Sequence, residues 1–588
     1  MKQFLLASLF CISAICTAQH PIIHSHNDYE QSVPFWNAFS AGLHSIEVDV
    51  FLKDGKLYAT HSEATIIADR TIENLYLKPL QEVLALHLGE QKHLQLLIDV
   101  KSDAYKTLDA LVQTLERYPT LIQSKALTFA ISGSRPKPED YQKYPAYIQF
   151  DYQSLDDTTP EAWNKVALIS LDYHTFTDWN GKGRLTKADE TALKQVIAKA
   201  HSYHKLFRFW GAPDSKTAWK TFTDLGIDFI NTDHPYACAS YMNSLPQRTF
   251  TNQNFSKVYY PSYKTDGKKS AVKNVILLIG DGNGLSEISA AVLANGGATT
   301  LSQLKKIGLL KTSSSDDFTT DSAAAGTALS TGEKTYNRAI GVDSLENSIT
   351  NITEILADRG FVTGVITTDD ITGATPAAFY AHQKDRGMET EIRKDLLHSK
   401  LDFFAGGGKS AFQNYGDFVI ANSPEEIAKS HAAKLGFFLS DKGVAGVLQG
   451  RKDILAQTTK SALQFLEHKN KPFFIMVEGA QIDSNGHTNN VGGIVSEGID
   501  FDKAITTALQ FADTHEGTLV LVTADHETSG FSIPQGDLTT HTIEGDFTTH
   551  DHTATMVPIF AYGPYSDMFT GVYENNEVFK KLVELLKQ

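Results

Sequence analysis

The chain reads as two successive α/β units: a (β/α)₈, TIM-barrel-like domain, then a mostly parallel sheet flanked by helices. Three observations predict this. Short β-rich runs recur eight times before residue 236, several nearly continuous in apolar residues, as strands buried on both faces are. Helical periodicity fills some of the intervals. Beyond residue 270 a second series of apolar runs begins, and it does not repeat the first.

The eight runs are "PIIHSH" (from Pro21), "HSIEVDVFL" (His44), "HLQLLIDVK" (His93), "ALTFAIS" (Ala126), "AYIQFDY" (Ala146), "VALISLD" (Val166), "LFRFWG" (Leu206) and "DFINTDH" (Asp228). In "YKTLDALVQTLERYP", Leu108, Leu111, Val112 and Leu115 share one helical face. This assigns 19–242 to the barrel. The polar stretch 243–270, with Pro, Gly, Ser and Lys, reads as a linker. The second unit, 271–588, is built on "KNVILLIGDGNG", "GFVTGVITT", "LDFFAGGG", "KPFFIMVEGA", "TLVLVTADHE" and "MVPIFAYGP", with a helix at "ITTALQFADTH".

A length of 588 residues calls for more than one domain. The apolar fraction of 41% and charged fraction of 21% are those of a soluble globular chain. The net charge of −16 excludes the basic patch of a nucleic-acid or anionic-membrane binder. Residues 1–18 read as a signal peptide: Lys2, an apolar run from Phe4 to Ile15, then the small-residue site Cys16-Thr17-Ala18. That run is too short to span a bilayer, and no other is long and apolar enough. Ile15 before Cys16 disfavours lipidation. An exported product, periplasmic or extracellular, is expected. Of three cysteines only Cys238 lies beyond the leader, so no intramolecular disulfide is expected.

In the second unit, metal-ligand side chains recur at the ends of apolar runs, where open α/β sheets bind ligands. Asp281 ends "VILLIGD" and Glu478 ends "FFIMVE"; Asp483 and His487 follow in "GAQIDSNGH". Asp525 and His526 end "TLVLVTADH", and His552 precedes "MVPIF". Such a set suits divalent metals. Asn485-Gly486 argues for a shaped loop through Asp483 and His487 rather than a helix. In "FTTDSAAAGTALSTGEKTYN" (from Phe318), Ser322 opens a run of small residues fit for a buried helix start. A hydroxyl there is either an N-cap or a nucleophile beside the positive end of the helix dipole.

These motifs, with "GATPAAFYAHQKDR" and "HTATMVPIFAYGP", resemble the alkaline phosphatase family in order and spacing from about Asn274 onward. The resemblance implies a two-zinc, one-magnesium phosphomonoesterase acting through a phosphoserine. It implies that Ser322 is the nucleophile, with Asp281, Asp525 and His526 on one zinc. Asp483, His487 and His552 hold the other zinc, and Asp281, Thr375 and Glu478 hold magnesium. Arg386 clamps the phosphate. His552 is chosen over His541 and His550 by its spacing to "YGP". Gly373 and Ser484 stand where family members often carry Asp, His or Lys, which should alter magnesium affinity and phosphate release. A homodimer is usual in that family.

In the first unit "HSHNDY" places His24, His26, Asn27 and Asp28 after the first run. "IEVDV" sets Glu47 and Asp49 on one side of a strand, as "IDVK" does Asp99 and Lys101. Three carboxylates at a barrel mouth favour Mg²⁺ or Ca²⁺. Two flanking histidines could serve as acid and base. The set resembles phospholipase C-like phosphodiesterases, including the glycerophosphodiester phosphodiesterases and sphingomyelinase D. That resemblance implies Glu47, Asp49 and Asp99 as metal ligands, His26 and His61 as the acid–base pair, and Lys101 and Trp210 on the substrate. The usual His-Arg-Gly is absent, and the choice between His24 and His26 stays open.

The expected function is an exported bifunctional phosphohydrolase. The barrel would cut a phosphodiester such as a glycerophosphodiester or phospholipid headgroup, and the second unit would release phosphate from small monoesters. If the barrel made a cyclic phosphate, the monoesterase could not use it directly. An alternative makes the barrel a non-catalytic lipid- or cell-wall-binding module. Another turns the second unit to phosphodiesters or sulfate esters.

Overall fold

The computed structural model describes residues 21–89 and 93–586, so the leader read over 1–18 lies outside the described residues. These residues form two compact units that divide between Ser244 and Leu245.

The first unit contains β1 (Ile22–Ser25), β2 (Ser45–Lys53), β3 (Lys56–Ala59), β4 (Leu94–Val100) and β5 (Leu127–Gly133). It continues with β6 (Ile148–Tyr152), β7 (Val166–Asp172), β8 (Leu206–Trp210) and β9 (Phe229–Thr232). Eight parallel strands run in the order β1-β2-β4-β5-β6-β7-β8-β9, and β9 pairs with β1 to close the barrel. These are the eight runs read from the sequence. The unforeseen β3 folds back antiparallel on β2 through Asp54-Gly55, both at positive φ, as a two-residue hairpin turn requires.

Register carries the chemistry. Glu47 pairs with Leu97 and Asp49 with Asp99, so the carboxylates of neighbouring strands stand side by side. Toward the strand starts, Leu97, Ala130, Leu168 and Phe229 pack together. Two residues further along each strand the same inward row becomes Asp99, Ser132, Ser170 and Asn231. Period-two alternation thus turns an apolar plug into a polar mouth at the C-terminal strand ends.

The second unit contains β10 (Thr249–Thr251), β11 (Asn274–Gly280), β12 (Lys306–Lys311), β13 (Val362–Asp370) and β14 (Phe403–Gly407). Then follow β15 (Phe418–Ala421), β16 (Lys434–Phe438), β17 (Phe473–Gly479), β18 (Thr518–Ala524) and β19 (Glu527–Thr528). The last are β20 (Ser532–Asp537), β21 (Thr542–Asp546), β22 (His552–Thr553), β23 (Val557–Tyr562) and β24 (Gly571–Glu574). The main sheet has the order β15-β16-β14-β13-β17-β11-β18-β23-β12-β24, and β23 runs against both its neighbours. Both faces are covered, which is why β11 is apolar throughout. Val275, Leu277 and Ile279 join the core beneath the helix Ser322–Thr331, while Ile276 and Leu278 join the core beneath the helix Val491–Thr514.

The polar stretch read as a linker is strapped to the second unit from Thr249 on. β10 pairs with β21. Asn252 donates to Ala294 O (3.1 Å), Ser256 to Asp502 (2.7 Å), Tyr259 to Asp513 (2.6 Å) and Ser566 to Asp266 (2.6 Å). Its polarity serves specific partners, which composition does not distinguish from solvation.

Candidate active sites

In the second unit Ser322 is the first residue of the helix Ser322–Thr331, all ten residues of which are buried. That explains the small residues: Gly326 lies so close to Ala378 that a Cβ on it would stand 3.0 Å from the Ala378 methyl. The cap is Asp321, not Ser322. Asp321 Oδ1 accepts from Ala324 N at 3.0 Å, which leaves the Ser322 hydroxyl free of the capping role. Ser322 Oγ lies 3.2 Å from His526 Nε2. Asp321 Oδ2 accepts from Arg386 at 3.1 Å, aiming the guanidinium over the helix start.

Around His526 Nε2 stand Asp281 Oδ1 (3.3 Å) and Asp525 Oδ2 (3.4 Å). Both oxygens are buried and have no hydrogen-bond partner among the described residues. Burial, then the charges of Asp525, Asp483 and Glu478, push the Asp281 carboxyl well up. Burial, then the His552 charge, brings the His526 imidazole down to about 3, so its lone pair stays available. Buried anions sharing one neutral imidazole need a cation, and the donor set is one for a divalent metal.

The second cluster is Asp483, His487 and His552. His487 Nδ1 donates to His550 O (2.6 Å) and His552 Nδ1 to Thr320 O (2.8 Å). The two Nε2 atoms are 3.1 Å apart. They are 3.3 and 3.5 Å from the Asp483 oxygens. Asp483 holds both imidazoles toward the protonated form, raising His487 to about 9, and a divalent cation bound by all three would take the place of those protons. Of the other candidate histidines, His550 contributes its carbonyl and His541 packs on Phe255.

One expectation is corrected. Asp483 and His487 do not sit on a loop: Gln481–His487 is a helix, and they face one way at i, i+4. Gly486 is there for contact, since a Cβ on it would stand 2.7 Å from Thr528 Cγ2.

Glu478, on β17, is buried and accepts from Thr367. Thr375 Oγ1 lies 3.5 Å from Asp281 Oδ2. Thr375 thus lies beside Asp281, and the Glu478 charge is among those that raise the Asp281 carboxyl.

In the barrel, the structure separates His24 from His26. His24 is fully buried, bonded to Ser45 Oγ (2.7 Å) and Glu47 Oε2 (2.8 Å). Burial, then the Arg208 charge, brings it down to about 4. His26 instead lines a cavity of about 400 Å³ with Glu47, Asp99, Lys101, Arg208 and Trp210. His26 Nδ1 bonds Asp233 at 2.7 Å. His61 has an exposed ring tied to Asp49 Oδ2 at 2.8 Å, a carboxylate oxygen that also accepts from Tyr29 (3.0 Å).

Ligand oxygens of Glu47, Asp49 and Asp99 all lie within 4.8 Å of one another. Asp49 Oδ1 and Asp99 Oδ1 are buried without a hydrogen-bond partner among the described residues. An oxygen-only set of this kind fits a hard cation. Burial, then the Glu47 charge, pushes the Asp99 carboxyl up to about 6. Gly133 makes room for it: at φ 66 it stands so close that a Cβ would lie 1.9 Å from Asp99 Oδ1. Gly133→Ala should therefore displace Asp99 and cost roughly 1–3 kcal/mol in strain. A lowered melting midpoint with weakened Mg²⁺ binding would bear this out, and wild-type binding would contradict it.

Sequence reasoning misses Arg208, an inward charge inside "LFRFW". Its side chain is 3% exposed and reaches Glu47 (2.6 Å), Ser170 (3.0 Å) and Asp151 (3.6 Å). A lone cation in an apolar strand is the available signal, since it must find buried anions. Asp321, which caps the helix and holds Arg386, is also missed as a site residue.

The alkaline phosphatase family model matches residues 272–425, 420–544 and 535–588. An AIM6-like phosphodiesterase domain matches 15–91, and the glycerophosphoryl diester phosphodiesterase family matches 207–236. Alkaline phosphatase 3 of Bacillus subtilis is 30% identical over 428 residues, covering 55% of this chain and 91% of that protein. The alkaline phosphatase of Escherichia coli is 30% identical over 398 residues, covering 52% and 84%. Among solved structures, alkaline phosphatase from the Antarctic bacterium TAB5 is 45% identical, with a TM-score of 0.52 over 54% of this chain and 99% of that one. A substituted form of the same enzyme, 44% identical at the same TM-score and coverage, has magnesium bound in its M3 site. Through its second unit the chain belongs to the alkaline phosphatase family, and it carries a phosphodiesterase-like domain ahead of that unit.

Proposed function

We propose that the second unit hydrolyses small phosphomonoesters through a phosphoserine at Ser322, and that the barrel cleaves phosphodiesters. The first part rests on one observation: a hydroxyl at a buried helix start, 3.2 Å from the Nε2 of an imidazole flanked by two unpartnered carboxylate oxygens. In this reading Asp281, Asp525 and His526 hold one zinc, and Asp483, His487 and His552 a second. Asp281, Thr375 and Glu478 hold magnesium. When bound, the metals neutralise charge on the attacking and leaving oxygens of an in-line displacement.

The chain's own residues supply the rest. Arg386, fixed by Asp321, grips phosphate oxygens with its planar fork. Ser322 Oγ gives its proton to solvent and bonds to phosphorus as the ester P–O bond breaks, and the alcohol leaves with a proton from solvent. Water then attacks the phosphoserine, releasing phosphate and restoring the hydroxyl. Buried neutral His526 keeps its lone pair for the first metal position.

In the barrel, Glu47, Asp49 and Asp99 hold Mg²⁺ or Ca²⁺, His26 and exposed His61 move protons, and Lys101 and Trp210 contact substrate. The open cavity beside the carboxylates supports catalysis over a mere tether. Glycerophosphodiesters or phospholipid headgroups are the substrate class. Among the described residues no helix is long and apolar enough to cross a membrane, and the leader motif supports export.

Glu47→Gln tests the division of labour. It should reduce metal-dependent diester cleavage by at least about 10²-fold and leave monoester hydrolysis at the wild-type rate. Unchanged diester cleavage would leave the barrel as a binding module.

A further inference from the structure

Gly373, which precedes Ala374 and Thr375, has φ −55 and ψ 157, a conformation open to any residue. Its lack of a side chain therefore has no conformational cause. The cause is a neighbour: a Cβ on Gly373 would stand 2.3 Å from Asp369 Oδ2 and 3.1 Å from Asp369 Cγ. The Asp369 carboxylate occupies the space a side chain at 373 would fill.

That space adjoins the third metal position. Gly373 is two residues from Thr375, whose hydroxyl meets Asp281 at 3.5 Å. Asp369 N donates to Thr367 Oγ1 (2.8 Å), and Thr367 in turn donates to Glu478. Asp281, itself more than nine-tenths buried, turns Oδ2 toward Thr375, while its Oδ1 faces His526.

We infer that Asp369 completes the donor set of the magnesium position with Glu478, Thr375 and Asp281, its carboxylate taking the place that Gly373 vacates. An all-oxygen donor set of this kind selects magnesium over zinc. The inference rests on the proposed assignment of Glu478, Thr375 and Asp281 to magnesium. It adds that position 373 and position 369 are alternative sources of one carboxylate.

The test is Mg²⁺ binding to zinc-loaded full-length protein, by calorimetry and by metal content, for wild type, Asp369→Asn, Gly373→Ala and the double variant Asp369→Ala/Gly373→Asp. Asp369→Asn and Gly373→Ala should each weaken Mg²⁺ by at least about tenfold, with zinc content and melting profile of the zinc form unchanged. The double variant should recover most of the loss. Asp369→Asn binding Mg²⁺ within about twofold of wild type would overturn the inference. If wild type itself bound no Mg²⁺ beyond its zinc, the magnesium assignment would fall first, and this inference with it.

Discussion

Ser322→Ala is expected to lower kcat for an aryl phosphomonoester by at least about 10³-fold, because it deletes the atom to which phosphorus bonds. The fold should hardly register the change. The helix cap is the Asp321 carboxylate, not the serine. Alanine matches the small-residue packing of a helix whose ten residues are all buried. The lost contact is one hydroxyl 3.2 Å from His526. Stability should stay within about 1 kcal/mol of wild type. Steady-state kinetics and a circular-dichroism melt on the same preparation separate the two effects. Retained turnover would mean that Ser322 is not the nucleophile; a collapsed melt would mean that its hydroxyl is structural.

Metal removal has an effect of similar size for a different reason. The second unit buries Asp281, Asp525 and Glu478, and two imidazole nitrogens meet 3.1 Å apart beside Asp483. With no cation, burial and the neighbouring carboxylates push the Asp281 and Asp525 carboxyls up. Chelation should abolish monoester hydrolysis, by at least about 10³-fold, since the metals contribute several kcal/mol to transition-state charge stabilisation. It should also lower the melting midpoint, because ligands that bind only the native state stabilise it by about 2.7 kcal/mol at a hundredfold excess over Kd. Zinc plus magnesium should restore both. Full activity in exhaustively chelated protein would contradict the metal reading.

The sequence made most of the architecture legible because the central strands are buried on both faces and read as apolar runs. In the main sheet it hid β12, β15, β16 and β24, short strands toward the margins; β12, β15 and β24 have exposed positions, and β12, β16 and β24 carry Gly. The metal-ligand candidates could be read because carboxylates and imidazoles gathered at the ends of apolar strands are costly to bury without a cation. Their mutual geometry could not. Local propensity argued against a helix through Asn485-Gly486, yet tertiary contact with Thr528 makes glycine the fitting residue and the helix forms. His24 and His26 carry identical side chains two residues apart; only barrel closure shows that the first is locked against Ser45 and Glu47 while the second meets the cavity. Asp369 is hidden because its significance lies in the emptiness of Gly373, and an absent side chain leaves no pattern.

The central claim is that phosphorus passes through Ser322. Metal-replete protein turning over a phosphomonoester, quenched in acid and digested, should yield the peptide containing Asp321-Ser322 with a phosphoryl group on Ser322 by mass spectrometry, and Ser322→Ala should yield none. Turnover in the wild type with that peptide unmodified at every quench time would contradict the account and require direct attack by water instead.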